Sequence, residues 1–165
     1  MPYAVTLRLD EAAAAEVRRL WALVAAGDAA EYAPHVTLAV YPDGGDAEPL
    51  RDAVAVLAAR WRALEVTFAG IGMFAGAVVW LAPVATGELL RRHAELVGAL
   101  PVAHPHYRVG AWVPHVTLAQ ELTEAGVAAA MSALLAEWRP FAGSLDRVEI
   151  VRFTPVEVLA SWPLD

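Results

Sequence analysis

Hydrophobic positions along the chain follow two periods, which predict strands alternating with helices. Short runs with every second residue apolar are typical of strands, and longer runs with apolar residues three and four apart are typical of amphipathic helices. The predicted strands are Tyr3–Leu9, Ala33–Tyr41, Leu64–Ala69, Ala77–Leu81, Tyr107–Trp112, Val113–Glu121, Ser144–Phe153 and Val156–Trp162. The predicted helices are Glu11–Ala26 after an Asp10 cap, Pro49–Ala63, one capped by Thr86 that ends at Leu100, and one capped by Thr123 that ends near Trp138. This order predicts an α+β or mixed α/β layered domain.

One six-residue segment occurs twice. Pro34–Ala39 and Pro114–Ala119 both read Pro-His-Val-Thr-Leu-Ala, and the second histidine follows the first by 80 residues in a chain of 165. A repeat of this kind is expected by chance only on the order of a few times in a thousand such sequences. The repeat therefore indicates a duplication, with one copy in each half of the chain.

Each copy lies on a predicted strand, where alternate side chains share a face. In the first copy, His35, Thr37 and Ala39 are predicted to share one face, and the three apolar residues at 36, 38 and 40 the other. The same alternation in the first strand puts Thr6 and Arg8 on one side. One face of each copy is thus predicted to be core and the other to line a site.

Two histidines supplied by two related segments suit general acid–base chemistry. In phosphodiester cleavage, one imidazole takes the proton of the attacking oxygen and the other protonates the leaving oxygen. Thr37 and Thr117, two residues beyond His35 and His115, can donate hydrogen bonds to the phosphate oxygens as charge builds there. This chemistry requires no metal and no cofactor, and we expect none.

The histidines and Trp112 also suit structural roles. A lone histidine on a strand is more often structural than catalytic, and the duplication is what reverses that preference. His104 and His106 are expected in a loop, with a metal site as the weaker alternative. His93 is expected on a solvated helix surface, and Trp112 is expected either in the core or stacked on a base.

Composition excludes several classes of function. The chain has no cysteine, so disulfides, thiol nucleophiles and thiolate metal sites are excluded. All twelve basic residues are arginine, which excludes a lysyl-nucleotide intermediate and a Walker-type phosphate loop. A net charge of −7 argues against binding along an extended duplex. The start of the chain has no secretory pattern, and its longest apolar stretches fall well short of the ~20 residues of a membrane span, so we expect a cytoplasmic protein that does not bind membranes.

The duplicated His-x-Thr-Leu strands resemble those of the two-histidine (2H) phosphoesterase superfamily. Gly70–Phe74 leading into Val78–Leu81, and the closing segment Val158–Leu164, resemble its bacterial branch of 2′-5′ RNA ligases and RNA 2′,3′-cyclic phosphodiesterases. The resemblance covers nearly the whole chain. It implies a single domain over residues 1–165 with an α+β, bilobal, pseudo-twofold fold. Two antiparallel-rich sheets would line a central groove, with helices packed outside.

The resemblance also implies roles for residues. His35, Thr37, His115 and Thr117 would carry catalysis, and Phe74 would contact the base. His115 would be the base that activates water and His35 the acid, although a substrate bound in the opposite direction would exchange the two roles.

Two positions depart from the pattern of that branch. Arginine is common shortly after the second motif, where this chain has Gln120, and a basic residue is common at the start of the first strand, where it has Pro2 and Tyr3. The missing cation is therefore expected from another arginine. The candidates on predicted strands near the motifs are Arg8, Arg108 and Arg152.

The leading functional hypothesis is a metal-independent phosphodiesterase that opens a 2′,3′-cyclic phosphate, on an RNA end or a small nucleotide, to a 2′-phosphate. The same site run in reverse would join RNA ends weakly through a 2′-5′ bond without ATP. The alternative is a non-catalytic module of the same fold that binds a nucleotide or an RNA end. A metal-dependent hydrolase is disfavoured because the chain has no His-Glu-x-x-His or carboxylate-rich motif. We expect the chain to be a monomer.

Overall fold

Strands and helices alternate along the chain as the periodicity predicts. The computed structural model describes residues 2–24, 31–42, 47–74, 78–102, 104–153 and 155–165. The strands are β1 (Tyr3–Leu9), β2 (His35–Tyr41), β3 (Leu64–Phe74), β4 (Val78–Pro83), β5 (Val116–Ala119), β6 (Phe141–Arg152) and β7 (Glu157–Pro163). The α-helices are α1 (Glu11–Val24), α2 (Glu48–Ala58), α3 (Gly87–Ala99) and α4 (Glu124–Glu137), and a 3-10 helix spans Pro105–Tyr107.

The three predicted helix caps are confirmed. Asp10 Oδ1 accepts a hydrogen bond of 2.8 Å from the backbone N–H of Ala13. Thr86 Oγ1 accepts one of 3.2 Å at the start of α3, and Thr123 Oγ1 accepts one of 3.1 Å at the start of α4. Each cap satisfies an N–H group that the first helical turn leaves without a partner, and this fixes where the helix begins.

The seven strands form one antiparallel sheet in which β6 is the central strand. The order is β2-β1-β6-β3-β4-β5. One edge of β6 pairs with β1, whereas its other edge pairs first with β3 and then with β7. β2 and β5, the two ends of this order, also contact each other, so the sheet is strongly curved. The predicted α+β class with antiparallel strands is confirmed. The two sheets that the resemblance implies form one continuous sheet here, because β6 pairs with β1 on one side and with β3 on the other.

The curvature matters because β2 and β5 carry the two copies of the repeat. Outside the sheet, α1 packs on α4 and α2 packs on α3. At the α1 face, Gly143 is required because a Cβ there would lie 2.4 Å from the Cβ of Ala13. Within the described residues no helix is long and apolar enough to cross a membrane.

Several predicted boundaries were wrong. Residues 107–112 form no strand, because the chain there makes a 3-10 helix and then a turn in which Gly110 has a φ of 86°. β5 is shorter than predicted, and soon after it Glu121 adopts a φ of 57°, which extended backbone does not allow. β3 continues to Phe74, five residues beyond its predicted end. The predicted end of the first helix at Ala26 lies outside the described residues.

Candidate active site

The first motif strand contains a β-bulge. Thr6 of β1 pairs with Thr37, and its neighbour Val5 pairs with Ala39. Leu38 therefore has no partner residue in β1 and is the residue that forms the bulge. Paired residues share a face, and Ala39 therefore lies on the core face with Val5, where it is 0% exposed. The prediction that Ala39 shares the face of Thr37 was wrong, because strict alternation does not hold across a bulge.

The second motif strand has the same bulge at the same position of the repeat. Trp80 of β4 lies opposite Thr117, and Val79 lies opposite Ala119, which leaves Leu118 as the extra residue. The duplication in sequence thus extends to a duplicated irregularity of the backbone. Each bulge separates a motif threonine on one face from a buried alanine on the other.

The two motif histidines are held by matching backbone contacts. His35 Nδ1 lies 2.8 Å from the carbonyl oxygen of Ala33, and His115 Nδ1 lies 2.8 Å from that of Val113. A carbonyl oxygen only accepts, so Nδ1 carries the proton and donates in both imidazoles. The lone pair of each neutral ring is therefore on Nε2, which is the atom available for proton transfer.

Burial lowers the pKa of both histidines. The pKa of His35 falls to about 4, mainly because burial disfavours the charged form, and the charges of His115 and Arg8 lower it further. Burial also lowers the pKa of His115, against the hydrogen bond to Val113, which raises it. The effect of His115 on His35 means that the two imidazoles lie within electrostatic reach of each other. Both are neutral at pH 7 in the free protein.

Two tryptophans connect the motif strands to the rest of the molecule. Trp21, on α1 in the first half of the chain, donates a hydrogen bond of 3.0 Å from Nε1 to the carbonyl oxygen of Thr117. Trp112, in the second half, donates one of 3.0 Å to the carbonyl oxygen of Thr37. In each case, a tryptophan side chain from one half of the chain donates a hydrogen bond to the backbone carbonyl group of the motif threonine in the other half.

A polar wall flanks His35. The Tyr32 ring lies 4.8 Å from the His35 ring, centre to centre, at an interplanar angle of 52°. The Tyr32 hydroxyl donates to Glu149 and lies 3.2 Å from Thr6 Oγ1. Burial and the carboxylate of Glu149 together raise the pKa of Tyr32 well above its usual value, so this hydroxyl stays protonated.

Glu149 is the centre of this wall. It is 4% exposed, and its carboxylate accepts hydrogen bonds from three side chains on other elements. Arg8 Nη1 lies 3.2 Å from Oε2, Ser161 Oγ donates to Oε1 at 2.9 Å, and the Tyr32 hydroxyl donates to Oε2. These partners compensate the burial of the carboxylate. They also fix Arg8, which lies opposite His35 in the strand register.

An aromatic wall flanks His115. The Phe74 ring meets His115 edge-on, with centroids 4.9 Å apart at 86°, and the Trp80 ring lies 6.0 Å from His115. Phe74 and Trp80 also contact each other, at 5.0 Å. Gly72 makes room for this arrangement, because a Cβ there would lie 2.3 Å from the Trp80 ring. The surroundings of the two motifs therefore differ, polar and charged at His35 and apolar at His115.

The structure brings together some of the predicted binding residues and not others. Arg8 and Phe74 lie beside the motif histidines. Arg108 is exposed, in the turn that follows the 3-10 helix. Arg152 lies opposite Tyr3 in the register, which puts it on the face of the sheet away from Thr6 and Arg8, and it forms an ion pair with Glu157.

The remaining histidines have structural surroundings. The prediction that His93 is solvated was wrong: it is 2% exposed, stacks on Trp112 at 4.2 Å and 6°, and donates from Nε2 to the carbonyl oxygen of Tyr107 at 2.9 Å. Trp112 is therefore a buried residue and does not stack on a base. His104 and His106 are both exposed. His104 lies in a loop, as predicted, whereas His106 lies within the 3-10 helix. Among the described residues, no group of three or more histidines and carboxylates is arranged to bind a metal ion.

Sequence reasoning missed Tyr32, Trp80, Arg147, Glu149 and Ser161. Arg147 and Glu149 alternate on a strand that was predicted, so their shared face was readable from the sequence. Their place beside Arg8 was not readable, because it depends on the pairing of β1 with β6 across most of the chain. Tyr32 precedes His35 by three residues, and no periodic pattern in the sequence includes it.

Comparisons with known proteins agree with this architecture. Residues 9–156 match the family model of the 2′-5′ RNA ligase superfamily. The structure of E. coli LigT with 3′-AMP is 20% identical, with a TM-score of 0.64 over 98% of this chain and 96% of that chain. TT0787 of Thermus thermophilus is 18% identical, with a TM-score of 0.67 over 99% and 98%. Among curated proteins, none matches the sequence. The predicted resemblance to 2H phosphoesterases is thereby confirmed.

Proposed function

Because the chain belongs to the 2′-5′ RNA ligase superfamily, we propose that it is a metal-independent phosphodiesterase that opens a 2′,3′-cyclic phosphate to a 2′-phosphate. The observation that carries the proposal is the matched pair of imidazoles. His35 and His115 each donate from Nδ1 to a carbonyl oxygen two residues earlier, which leaves both Nε2 atoms free for proton transfer. A module that only binds nucleotides has no need of two such groups.

In the proposed reaction, a water molecule attacks the phosphorus atom of the cyclic ester. One imidazole takes a proton from the water through Nε2, and the bond from phosphorus to the 3′ oxygen breaks. The other imidazole, which takes up a proton at Nε2 before this step, gives that proton to the 3′ oxygen. The product carries a 2′-phosphate and a 3′-hydroxyl. Thr37 and Thr117 donate hydrogen bonds to the non-bridging oxygens, where negative charge increases in the transition state. With a 5′-hydroxyl of RNA in place of water as the nucleophile, the same steps join the two RNA ends weakly through a 2′-5′ phosphodiester bond, without ATP.

The different surroundings of His35 and His115 favour His35 as the general base and His115 as the general acid. The pKa of His35 falls to about 4, so His35 is the more firmly neutral imidazole and the better candidate for the base that water meets. His115 is then the proton donor. This is the reverse of the order that the family resemblance implies, and the two orders predict different pH dependence for single variants.

The two walls suggest how a nucleotide lies in the site. Phe74 and Trp80 offer an apolar face for the base beside His115. Arg8 lies on the opposite side, next to His35, where the N–H groups of its guanidinium that Glu149 does not accept from are able to donate hydrogen bonds to the phosphate. E. coli LigT has been crystallised with 3′-AMP and with phosphate, and phosphorylated ligands of that kind suit such a site.

A substrate screen tests the proposal. The purified protein is incubated with the four nucleoside 2′,3′-cyclic phosphates, RNA with a cyclic phosphate end, and ADP-ribose cyclic phosphate, with and without EDTA. We expect turnover of at least one substrate to a 2′-phosphate at a rate that EDTA does not change. Loss of activity with EDTA would contradict the metal-independent mechanism. Tight nucleotide binding with no turnover of any substrate would favour the binding module instead.

A further inference from the structure

Arg147 is a second arginine on the site face of the sheet. It lies opposite Arg8 in the pairing of β1 with β6, and it shares its face with Glu149 two residues later. Its Nη1 donates a hydrogen bond of 3.2 Å to Ser161 Oγ, which in turn donates to Glu149. The Arg147 side chain is therefore held on the site face beside Glu149, on the β7 side of β6, and it is partly open to solvent.

Arg147 and Arg8 differ in how their charge is compensated. Arg8 forms an ion pair with the buried Glu149 carboxylate, so that pair contributes no net charge to the wall. Arg147 bonds to a neutral hydroxyl, and no carboxylate in the described part of the chain lies within ion-pair distance of it. Among the described residues of the proposed site, Arg147 is thus a positive charge without an ion-pair partner, in a protein whose net charge is −7.

The position of Arg147 suits a group other than the phosphate undergoing cleavage. Its strand is separated from the His35 strand by β1, and because neighbouring strands lie about 4.8 Å apart, its Cα is about 10 Å from that of His35. The cyclic phosphate must lie between the two imidazoles. An anion that Arg147 contacts is therefore displaced from the cyclic phosphate, toward β6 and β7. In a nucleotide with a 2′,3′-cyclic phosphate, the other position that carries a phosphate is the 5′ oxygen.

We propose that Arg147 forms a second anion subsite that binds a phosphate on the 5′ oxygen of the terminal nucleoside. This inference rests on the function proposed above. The 5′-phosphate is either a monoester, in a free nucleotide, or a diester to the preceding nucleotide of an RNA end. A substrate with such a phosphate gains a charge-assisted hydrogen bond that a plain nucleoside cyclic phosphate lacks.

Binding of non-reactive product analogues tests the subsite without relying on turnover. Titration calorimetry measures the dissociation constants of adenosine 2′-monophosphate, adenosine 2′,5′-bisphosphate, and a dinucleotide that ends in an adenosine 2′-phosphate. The proteins are the wild type, Arg147→Gln and Arg152→Gln. The last is the matched control, because Arg152 is on the same strand but on the opposite face and paired with Glu157.

In the wild type we expect the bisphosphate to bind roughly tenfold more tightly than the monophosphate, which is the gain typical of one charge-assisted hydrogen bond at a partly exposed site. Arg147→Gln should reduce that ratio to about one, and Arg152→Gln should preserve it.

A matching gain for the dinucleotide identifies RNA ends as ligands, and a gain confined to the bisphosphate identifies mononucleotides. Equal binding of monophosphate and bisphosphate by the wild type, or an unchanged ratio in Arg147→Gln, would overturn the subsite alone. Absence of binding by all three nucleotides would overturn the proposed function with it.

Discussion

At the scale of single residues, the two motif histidines share a backbone anchor and differ in what surrounds them. His35 contacts the ring of Tyr32 and lies opposite Arg8, whereas His115 contacts Phe74 and Trp80. The positive charge of Arg8 is one of the causes that lower the pKa of His35, and no arginine contributes to the shift at His115. Two copies of one sequence motif thus acquire different proton affinities from residues outside the motif.

Single variants at these histidines are predicted to respond to pH in opposite directions. In His35→Ala, the remaining proton donor is His115, so the residual kcat/KM should fall as pH rises through the pKa of His115, which lies below 6.5. In His115→Ala, the remaining base is His35, so the residual kcat/KM should rise as pH passes through the pKa of His35, which burial keeps below 6.5, and should stay level above it. The measurement is kcat/KM for a 2′,3′-cyclic nucleotide across the acidic and neutral pH range. If kcat/KM instead rises with pH in His35→Ala and falls in His115→Ala, then His115 is the base and His35 the acid.

At the scale of elements, the aromatic wall depends on a glycine. Gly72 lies opposite Trp80 in the pairing of β3 with β4, and its missing Cβ is what lets the indole ring lie across the strand beside His115. Gly70, two residues earlier on the same face, lies opposite Ala82, where a Cβ would be an ordinary 3.6 Å from its neighbour. A glycine-to-alanine substitution at Gly72 and at Gly70 therefore compares a crowded position with an uncrowded one on the same strand.

Gly72→Ala is predicted to be costly and Gly70→Ala to be tolerated. Forcing the Trp80 ring aside should lower the free energy of unfolding by about 1–3 kcal/mol, the usual cost of overpacking, and should also reduce kcat/KM because Trp80 packs near His115. Gly70→Ala should change the free energy of unfolding by less than about 0.5–1 kcal/mol. Urea denaturation and steady-state kinetics measure both effects. Indistinguishable results for the two variants would contradict this account of the wall.

Sequence patterns predicted the elements better than their pairing. The caps at Asp10, Thr86 and Thr123 were readable because each is a local contact within four residues. The bulges at Leu38 and Leu118 were not, because an extra residue in one strand is defined only by its partner strand. Tyr107–Trp112 was predicted to be a strand from its apolar residues, and those residues instead turn the chain and direct Trp112 to the core.

At the scale of the whole molecule, the site depends on two distant strands meeting. The motifs are 80 residues apart in the sequence, and the curvature of the sheet brings β2 and β5 into contact. The hydrogen bonds from Trp21 to Thr117 and from Trp112 to Thr37 cross between the two halves of the chain. We infer that these two bonds fix the separation of the motif strands, and with it the distance between the imidazoles.

Replacing either tryptophan with phenylalanine tests that coupling, because the ring is kept while the N–H group is lost. Trp21→Phe and Trp112→Phe should each lower the free energy of unfolding by about 1–3 kcal/mol, since a buried carbonyl group loses its partner, and should lower kcat more than they raise KM. Trp138→Phe is the control, because the buried Trp138 Nε1 has no hydrogen-bond partner within the described residues. If all three variants lose stability equally and keep the wild-type kcat, the bonds do not position the site.

The most direct test of the central claim is the turnover of a 2′,3′-cyclic nucleotide by the wild type, His35→Ala, His115→Ala and the double variant. The exposed loop residue His104 supplies the control His104→Ala. Circular dichroism establishes that each variant is folded. Because an acid–base group is worth about 10²–10⁴ in rate, each single motif variant should lose that much in kcat, while His104→Ala keeps the wild-type value. A well-folded double variant that opens the cyclic phosphate at the wild-type rate would contradict the two-histidine mechanism.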